Sequence, residues 1–401
     1  MDEGNLTNSN VIIVIPSRLN SSRLPNKALL RIDGKPLIQR VVEIAKGVRG
    51  IDEVVVATDS HEIAEVGKSS GAEIIITTSK PRNGTERLIE VMKKKKANYY
   101  INLQGDEPLI DCIEIEEALN ILINTNNEIV TICRPISLKE AQDPSRVKVI
   151  ISDKNKAIYF SRAIVPHNTK TLLEHSGVYL FKKNILSKIE SLKPTKLENI
   201  ESLEQLRWLE AGLSIHISLS KRNSISIDTP KDIIEAERIL KIKKIKTIVL
   251  DVDGVLTNGR ILYGNNGEEY KEFSTQDGSA IKRLQNQGYM FAILSGKDSK
   301  ALRRRASDLN INNIILGVKD KSIGIKSIQK NMNIEKDQCA YVGDDIDDIY
   351  AMKSCGWNFA VKNAREEVKH YANEIINRSG GEGAIAELES ILNKINGVKN
   401  L

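Results

Sequence analysis

Two carboxylates one residue apart, Asp251 and Asp253, follow the apolar run Ile248-Val249-Leu250 and precede Gly254. Alternate side chains of a strand point the same way, so strand geometry carried past Leu250 would face both acids toward one point. Carboxylates that close repel unless a cation lies between them or one of them is protonated. An acid-tipped strand of a parallel sheet, followed by glycine, suits Mg²⁺ and attack on a phosphate. Asp251 reads as the nucleophile. Asp253 reads as the acid that protonates a leaving alkoxide and then activates water. Ser295, closing the run Ile293-Leu294, offers a hydroxyl to a phosphate oxygen. Lys321 offers a positive charge to the same oxygens. Asp344, after Ala340-Tyr341-Val342-Gly343, would complete the Mg²⁺ site. Each of these alone is ordinary surface charge or loop sequence. Their common order, each acid or hydroxyl closing an expected strand, is what argues for a site.

A second constellation lies near the N-terminus. The expected strand Val11–Ile15 runs into Pro16-Ser17-Arg18-Leu19-Asn20-Ser21-Ser22-Arg23-Leu24-Pro25-Asn26-Lys27. Arg18 and Arg23 carry planar donor forks and Lys27 a point charge, a set suited to a polyphosphate. This loop holds no Gly-Lys-Thr/Ser, so it is not a Walker-type loop. By itself it could equally be a solvated basic loop. The expected strand Tyr99–Leu103 ends in Gln104-Gly105-Asp106-Glu107-Pro108, where Gly105 permits close backbone approach and Asp106 can hold Mg²⁺ against a triphosphate. Asp228, in Ser226-Ile227-Asp228-Thr229-Pro230, again closes a β-prone run, although Thr229-Pro230 also suits a helix start with Asp228 as its cap.

The elements that must position these groups alternate in type. In the first half, strands are expected at Val11–Ile15, Glu53–Thr58, Ile74–Thr77 and Tyr99–Leu103, with helices at Leu37–Lys46, His61–Ser69 and Glu86–Lys94. In the second, strands are expected at Ile248–Leu250, Phe291–Leu294, Ile314–Leu316, Ala340–Val342 and Phe359–Val361, with helices such as Ser279–Gln287 and Ser299–Leu309. This βαβ alternation predicts an α/β fold of two domains, each a mostly parallel sheet flanked by helices. A chain of 401 residues is also too long for one ordinary core. The boundaries expected are a disordered tail over 1–10, a first domain over 11–240, a linker over 241–246 and a second domain over 247–395.

Composition narrows the class. Hydrophobic residues at 40% and charged residues at 28% fit a globular chain, and aromatics at 4% leave Ile, Leu and Val to fill the cores. A net charge of +6 is mild and suits small anionic substrates, and the cluster Lys93–Lys96 reads as a solvated helix end instead of a nucleic-acid surface. Cys112, Cys133, Cys339 and Cys355 lack metal-site spacing and read as buried free thiols of a reducing compartment. No stretch is long and apolar enough for a membrane span, and Met1 to Asn10 lacks a signal-peptide core, so the cytoplasm is expected.

Over about residues 245–395 the chain resembles the haloacid-dehalogenase-like phosphatases, and among them the small, cap-less 3-deoxy-D-manno-octulosonate (KDO) 8-phosphate phosphatases. The stretches that carry this are Leu250 to Thr257, Asn265-Asn266-Gly267-Glu268-Glu269, Thr275-Gln276-Asp277-Gly278, Tyr341 to Asp348 and Gly380-Gly381-Glu382-Gly383-Ala384. The resemblance implies a cap-less Rossmann-like domain with a short hairpin around Gly264–Gly267. It also implies Mg²⁺ held by Asp251, the backbone carbonyl of Asp253 and Asp344, and a homotetramer. The family's tail has Arg where this chain has Glu382.

Residues 11 to about 240 resemble the cytidylyltransferases that activate KDO as its CMP derivative, with a nucleotide-diphospho-sugar-transferase-like fold. Here the carriers are Ile15 to Lys27, Asn83-Gly84-Thr85-Glu86-Arg87-Leu88, Asn102 to Pro108, Tyr159-Phe160-Ser161-Arg162 and Leu203-Glu204-Gln205-Leu206-Arg207. Sialic-acid relatives carry Lys-Gly where this chain has Arg23 and its neighbour. The resemblance implies that Arg18, Arg23 and Lys27 bind the CTP phosphates, with Thr85, Glu86, Arg87 and Gln104 beside the nucleotide. Asp106 and Asp228 would hold Mg²⁺, and Arg162, His175, Tyr179, Glu204 and Gln205 would face the sugar. Family members carry Trp after the proline of the Ser-Arg element and a longer insert before the histidine. Here His167 follows Pro166 and the loop to His175 is short.

The expectation is therefore a bifunctional enzyme of lipopolysaccharide biosynthesis. One half would hydrolyse KDO 8-phosphate, and the other would join KDO to CMP from CTP with release of pyrophosphate. Mg²⁺ would serve both halves, with CTP and a 2-keto-3-deoxy sugar acid as small-molecule partners and no nucleic acid or membrane partner. The alternatives are the same chemistries on 8-amino-KDO, a sialic acid or a legionaminic acid, or one domain acting as a degenerate assembly module.

Overall fold

A computed structural model describes residues 9–19, 24–78, 81–169, 171–220, 222, 224–265 and 269–398. The tail expected over 1–10 lies, save for Ser9 and Asn10, outside the described residues. Internal contacts divide the chain into two compact units, Met1–Glu237 and Arg238–Leu401. Helix Pro230–Lys243 runs through the point of division, and its turns continue as Lys244 N donates to Lys241 O and Ile245 N to Ile242 O. Residues 241–246, expected as the linker, thus begin as the end of this helix. The apolar residues of that run supply the reason, since Ile242 and Ile245 are buried.

The first unit is built on a sheet ordered Ile215–Leu219, Ile129–Ile136, Leu172–Lys182, Tyr99–Leu103, Val11–Ser17, Glu53–Thr58 and Glu73–Ile76. Val11–Ser17 is buried throughout, as a central parallel strand covered on both faces must be. Its odd residues, Ile13 and Ile15, pack in one layer with Ile38 and Val41, and its even residues, Ile12 and Val14, in the other with Phe160 and Trp208. The strand pairs in parallel with Glu53–Thr58 on one side and Tyr99–Leu103 on the other. The chain leaves Val11–Ser17 toward one edge and later returns to its opposite side. The crevice at such a switch point is where open α/β sheets bind ligands, and the basic loop and Gln104-Gly105-Asp106 both open onto it.

The βαβ reading leaves out Leu172–Lys182, which enters antiparallel between Tyr99–Leu103 and Ile129–Ile136. Its pairing with the latter is irregular between His175 and Tyr179. There Gly177 O accepts from Gln104 N at 3.0 Å, and Gly177 N donates to Glu107 Oε1 at 3.0 Å. The helix expected from Glu86 starts at Gly84, because Asn83 Oδ1 caps it by accepting from Glu86 N.

In the second unit a parallel sheet runs Asn313–Leu316, Met290–Ser295, Thr247–Leu250, Cys339–Gly343, Trp357–Ala360 and Glu374–Ile375. Thr247–Leu250 is fully buried and lies between Met290–Ser295 and Cys339–Gly343. Neighbouring strands of one parallel sheet end side by side, which brings Asp251, Ser295 and Asp344 to one edge. The short hairpin is present as Leu262–Tyr263 paired with Glu269–Tyr270, and its turn at 266–268 lies outside the described residues. All four cysteines are free. Cys112 is only half-buried, against expectation, while Cys339 and Cys355 sit with their Sγ atoms 3.5 Å apart. Among the described residues, no helix is long and apolar enough to cross a membrane.

Candidate active sites

In the first unit a cleft of about 480 Å³ opens at the switch point. Lys27 anchors one end, its Nζ donating to Asp106 Oδ2 at 2.7 Å, Ile227 O at 2.8 Å and Asp228 Oδ1 at 3.1 Å. Burial alone would lower the Lys27 pKa, but the charges and hydrogen bonds of the two aspartates outweigh it and hold the ammonium above its ordinary value. Two carboxylates from distant segments thus converge on one cation-sized point, a donor set that fits Mg²⁺. Asp228 meets Lys27 there together with Asp106. The start of the following helix is held by Asp232 of its first turn, whose Oδ2 accepts from Asp228 N and Thr229 N. Arg18 is exposed and lines the cleft. Arg23 lies outside the described residues.

The structure divides the Thr85-Glu86-Arg87 stretch. Arg87 lines the cleft and is buried against Asp59 and Thr77. Thr85 is buried, and its hydroxyl donates to Glu204 Oε1 at 2.8 Å. Glu86 turns away and pairs with Arg82, so the sequence motif brings only part of itself to the cleft. Gln104, Arg162, His175, Tyr179, Glu204 and Gln205 all line it. Arg162 spends donors on the carbonyls of Glu201, Pro144 and Ser202. His175 Nε2 lies 3.0 Å from Thr131 Oγ1, and its ring packs against Phe160 and Tyr179. Burial drops its pKa to about 3, so the imidazole is neutral. Tyr179 OH and Glu204 Oε2 are buried without a hydrogen-bond partner. Burial pushes the Glu204 carboxyl up to about 7, against the pull of Thr85 and Arg207.

Sequence reasoning missed two features of this cleft. Glu107 is buried and accepts from Gly177 N and from the hydroxyls of Ser224 and Ser226, so it fixes the loop that carries Asp106. Arg134, Arg146 and Glu174 form an ion-paired group along the cleft wall. An arginine inside the apolar run Ile129–Ile136 was the available signal, and it gains meaning only from the strand register that sets Glu174 opposite Arg134.

In the second unit, the carboxylates of Asp251, Asp344 and Asp348 lie within 4.8 Å of one another. Asp344 Oδ1 is buried with no hydrogen-bond partner. Three carboxylates, one of them with an orphaned oxygen, make a hard-oxygen donor set that fits Mg²⁺. Burial, then the neighbouring carboxylates, raise Asp251 to about 7 and Asp344 to about 8. Lys321 Nζ donates to Asp251 Oδ1 at 2.7 Å and to Asp348 Oδ1 at 2.5 Å. Ser295 is buried at its strand end, where its Oγ accepts from Lys297 N.

Asp253 corrects the first expectation. The strand ends at Leu250, so its alternation does not carry on, and the Asp253 carboxylate takes no part in the acidic cluster. Its two oxygens accept from the buried Lys271 Nζ at 2.6 and 2.8 Å. This leaves its backbone carbonyl, not its side chain, as the group open to a metal role. Asp348, which the sequence reading passed over, ties the site together. It is fully buried and accepts from Tyr341 OH, Asp344 N and Asp345 N besides Lys321. The signal was its four-residue spacing from Asp344 across a turn into a helix.

The glycines of the tail have a packing role. A Cβ on Gly380 would fall 1.7 Å from Gly254 O, so only glycine lets the tail lie against the loop that follows Asp251. Asp277 holds the next helix there, accepting from Gly383 N, Ile385 N and Ala386 N. Glu382 is exposed.

Comparison with known proteins finds relatives of both halves. Residues 12–217 match the cytidylyltransferase family model, and residues 314–388 match that of the haloacid dehalogenase-like hydrolases. The 3-deoxy-manno-octulosonate cytidylyltransferase of Escherichia coli is 40% identical over 227 residues, 55% of this chain and 92% of the relative. The solved structure of CMP:2-keto-3-deoxy-manno-octonic acid synthetase complexed with CTP is 38% identical, with a TM-score of 0.56, over 59% of this chain and 100% of that one. The cobalt-bound deoxy-D-mannose-octulosonate 8-phosphate phosphatase of Haemophilus influenzae is 39% identical, with a TM-score of 0.38, over 39% of this chain and 92% of that one.

Proposed function

We propose, from the premise that this chain belongs to the cytidylyltransferase family and carries a haloacid dehalogenase-like hydrolase region behind it, that it performs two consecutive steps of sugar-acid activation. The second unit hydrolyses KDO 8-phosphate to KDO and phosphate. The first joins KDO to CMP from CTP and releases pyrophosphate. The observation that carries the reading is the convergence of Asp106 and Asp228 on Lys27 Nζ, at the end of a cleft whose walls hold the orphaned polar atoms of Tyr179 and Glu204.

In the first unit, Arg18 and Lys27 neutralise the triphosphate, and Arg23 joins them in the sequence motif. Thr85 steadies Glu204, which faces the sugar with Arg162, His175, Tyr179 and Gln205. The anomeric 2-hydroxyl of the sugar acid attacks the α-phosphorus in line and pyrophosphate departs. In the second unit, Asp251 attacks the phosphorus while Ser295 and Lys321 hold the phosphoryl oxygens. Asp253, oriented by Lys271, protonates the leaving alkoxide and then takes a proton from the water that frees Asp251. Mg²⁺ held by Asp106 and Asp228 in one unit, and by Asp251, the Asp253 carbonyl and Asp344 in the other, would supply charge neutralisation at the phosphates. The setting is lipopolysaccharide biosynthesis in the cytoplasm, by a homotetramer organised through the phosphatase unit.

A substrate panel on the purified protein tests this. With Mg²⁺ present, KDO 8-phosphate should release phosphate, and KDO with CTP should release pyrophosphate. Activity with 8-amino-KDO, a sialic acid or a legionaminic acid and none with KDO would replace the sugar assigned here.

A further inference from the structure

The group Arg134, Glu174 and Arg146 is built for more than holding strands together. Arg134 and Glu174 sit directly opposite in adjacent antiparallel strands, and their side chains are 6% and 8% exposed. A single oxygen, Glu174 Oε2, accepts from Arg134 Nε at 3.0 Å, from Arg134 Nη2 at 2.8 Å and from Arg146 Nη1 at 3.0 Å. Two guanidiniums thus share one carboxylate, and the group keeps one unbalanced positive charge. Arg134 Nη1 is buried and has no partner. An unmet guanidinium donor in such a place is costly unless something else receives it.

All three residues line the same cleft as Tyr179 and Glu204. The residues that carry the orphaned atoms Tyr179 OH, Glu204 Oε2 and Arg134 Nη1 therefore come from separate segments and line one cleft, with those atoms buried in its wall. A donor, a carboxyl oxygen and a hydroxyl left unsatisfied in the wall of one cleft are the kinds of group that a polyhydroxylated acid could satisfy.

We propose that Arg134, clamped by Glu174 and flanked by Arg146, is a specificity-determining contact for the acceptor sugar acid, donating from Nη1 to one of its oxygens. The inference rests on the sugar-acid reading of the cleft given above. The shared chemistry is an oxygen lone pair, from either the acceptor's carboxylate or a hydroxyl. Glu174 is a positioning residue, since it acts through Arg134.

The test uses the full chain with Mg²⁺ and follows CTP-dependent pyrophosphate release against sugar-acid concentration. Arg134→Gln should raise KM for the sugar acid about tenfold or more while KM for CTP stays within about twofold. Arg134→Lys should recover part of the loss, because the charge returns without the planar fork. Glu174→Gln should raise the sugar KM as well, with CTP binding by calorimetry unchanged. Comparing the free acid with its C1 amide separates the two oxygen sources. If the carboxylate is the partner, Arg134→Gln loses the preference for acid over amide. If a hydroxyl is the partner, that preference stays and the preference over the matching deoxy sugar acid is lost. A sugar KM within about twofold of wild type in Arg134→Gln overturns the inference. Should that variant fail to fold, unmoved sugar KM in Arg134→Lys and Glu174→Gln overturns it equally. A wild type inactive on every sugar acid removes the parent reading, and this inference with it.

Discussion

Lys27 and Lys321 do the same electrostatic work in unrelated settings. Each is a largely buried ammonium shared between two carboxylates, and the proposed function gives each of them a phosphate to meet. Asp251, beside Lys321, is placed to attack. Asp251→Asn should cut phosphate release at least about a thousandfold and leave CTP-dependent pyrophosphate release intact. Phosphatase activity surviving that change would remove Asp251 as nucleophile. Glu204 carries a pH signature. Its folded pKa of about 7 lies above the ordinary 4.5, so the folded unit keeps a proton that the unfolded chain gives up. The stability this contributes is complete below about pH 4.5 and is lost as pH rises through 7, by about 1.4 kcal/mol per unit at most and about 3 kcal/mol in all. The chain has two tryptophans, so Trp357→Phe leaves the buried Trp208 to report on the first unit alone. In that background, the stability gap between wild type and Glu204→Gln should shift toward the variant between pH 5 and pH 8. A gap that does not move with pH would mean that the carboxyl is not buried as described. The types and order of these site residues were plain in the chain. Their pairings were not, since Lys271 with Asp253 and Asp348 with Lys321 depend on how separate segments pack.

At the scale of elements, strand ends deliver the chemistry and loops trim it. Asp251, Ser295 and Asp344 meet because Thr247–Leu250, Met290–Ser295 and Cys339–Gly343 are neighbours in one parallel sheet. These three strands were legible to within a residue, because fully buried parallel strands are continuous apolar runs rich in β-branched residues. Ile129–Ile136, Lys148–Ile151, Ala157–Ser161, Leu172–Lys182 and Ile215–Leu219 were not read as elements, and Leu172–Lys182 in particular breaks the βαβ rhythm by running antiparallel to its neighbours. The loop after Asp251 is the tightest point. Gly254 has a φ of +96°, and a Cβ there would fall 1.9 Å from Asp344 Oδ2. Gly254→Ala should displace that carboxylate and weaken Mg²⁺ activation of phosphate release about tenfold or more. An Mg²⁺ titration of the variant checks this. An unchanged half-activating concentration would show that Asp344 has room to move without cost.

At the scale of the whole molecule, the two cores are separate, and each proposed active site is complete within its own unit among the described residues. If the steps are independent, Asp251→Asn and Asp106→Asn proteins mixed together should make CMP-sugar from the sugar phosphate and CTP, although neither does so alone. A mixture that stays inactive while each protein keeps its other activity would point to transfer within one chain. The amino-acid order by itself determined the class of both halves, the candidate acids and cations at Lys27, Asp106, Asp251, Lys321 and Asp344, and the strands nearest most of them, because each of those signals is local. Tertiary structure decided the rest. Strand register set Glu174 against Arg134. The end of a strand at Leu250 turned Asp253 toward Lys271 instead of the acidic cluster. Folding also carried Asp348 into that cluster and left Tyr179, Glu204 and Arg134 with unmet polar atoms around one cleft. Burial and pairing are properties of what surrounds a side chain, and most of those surroundings come from residues far away in the chain.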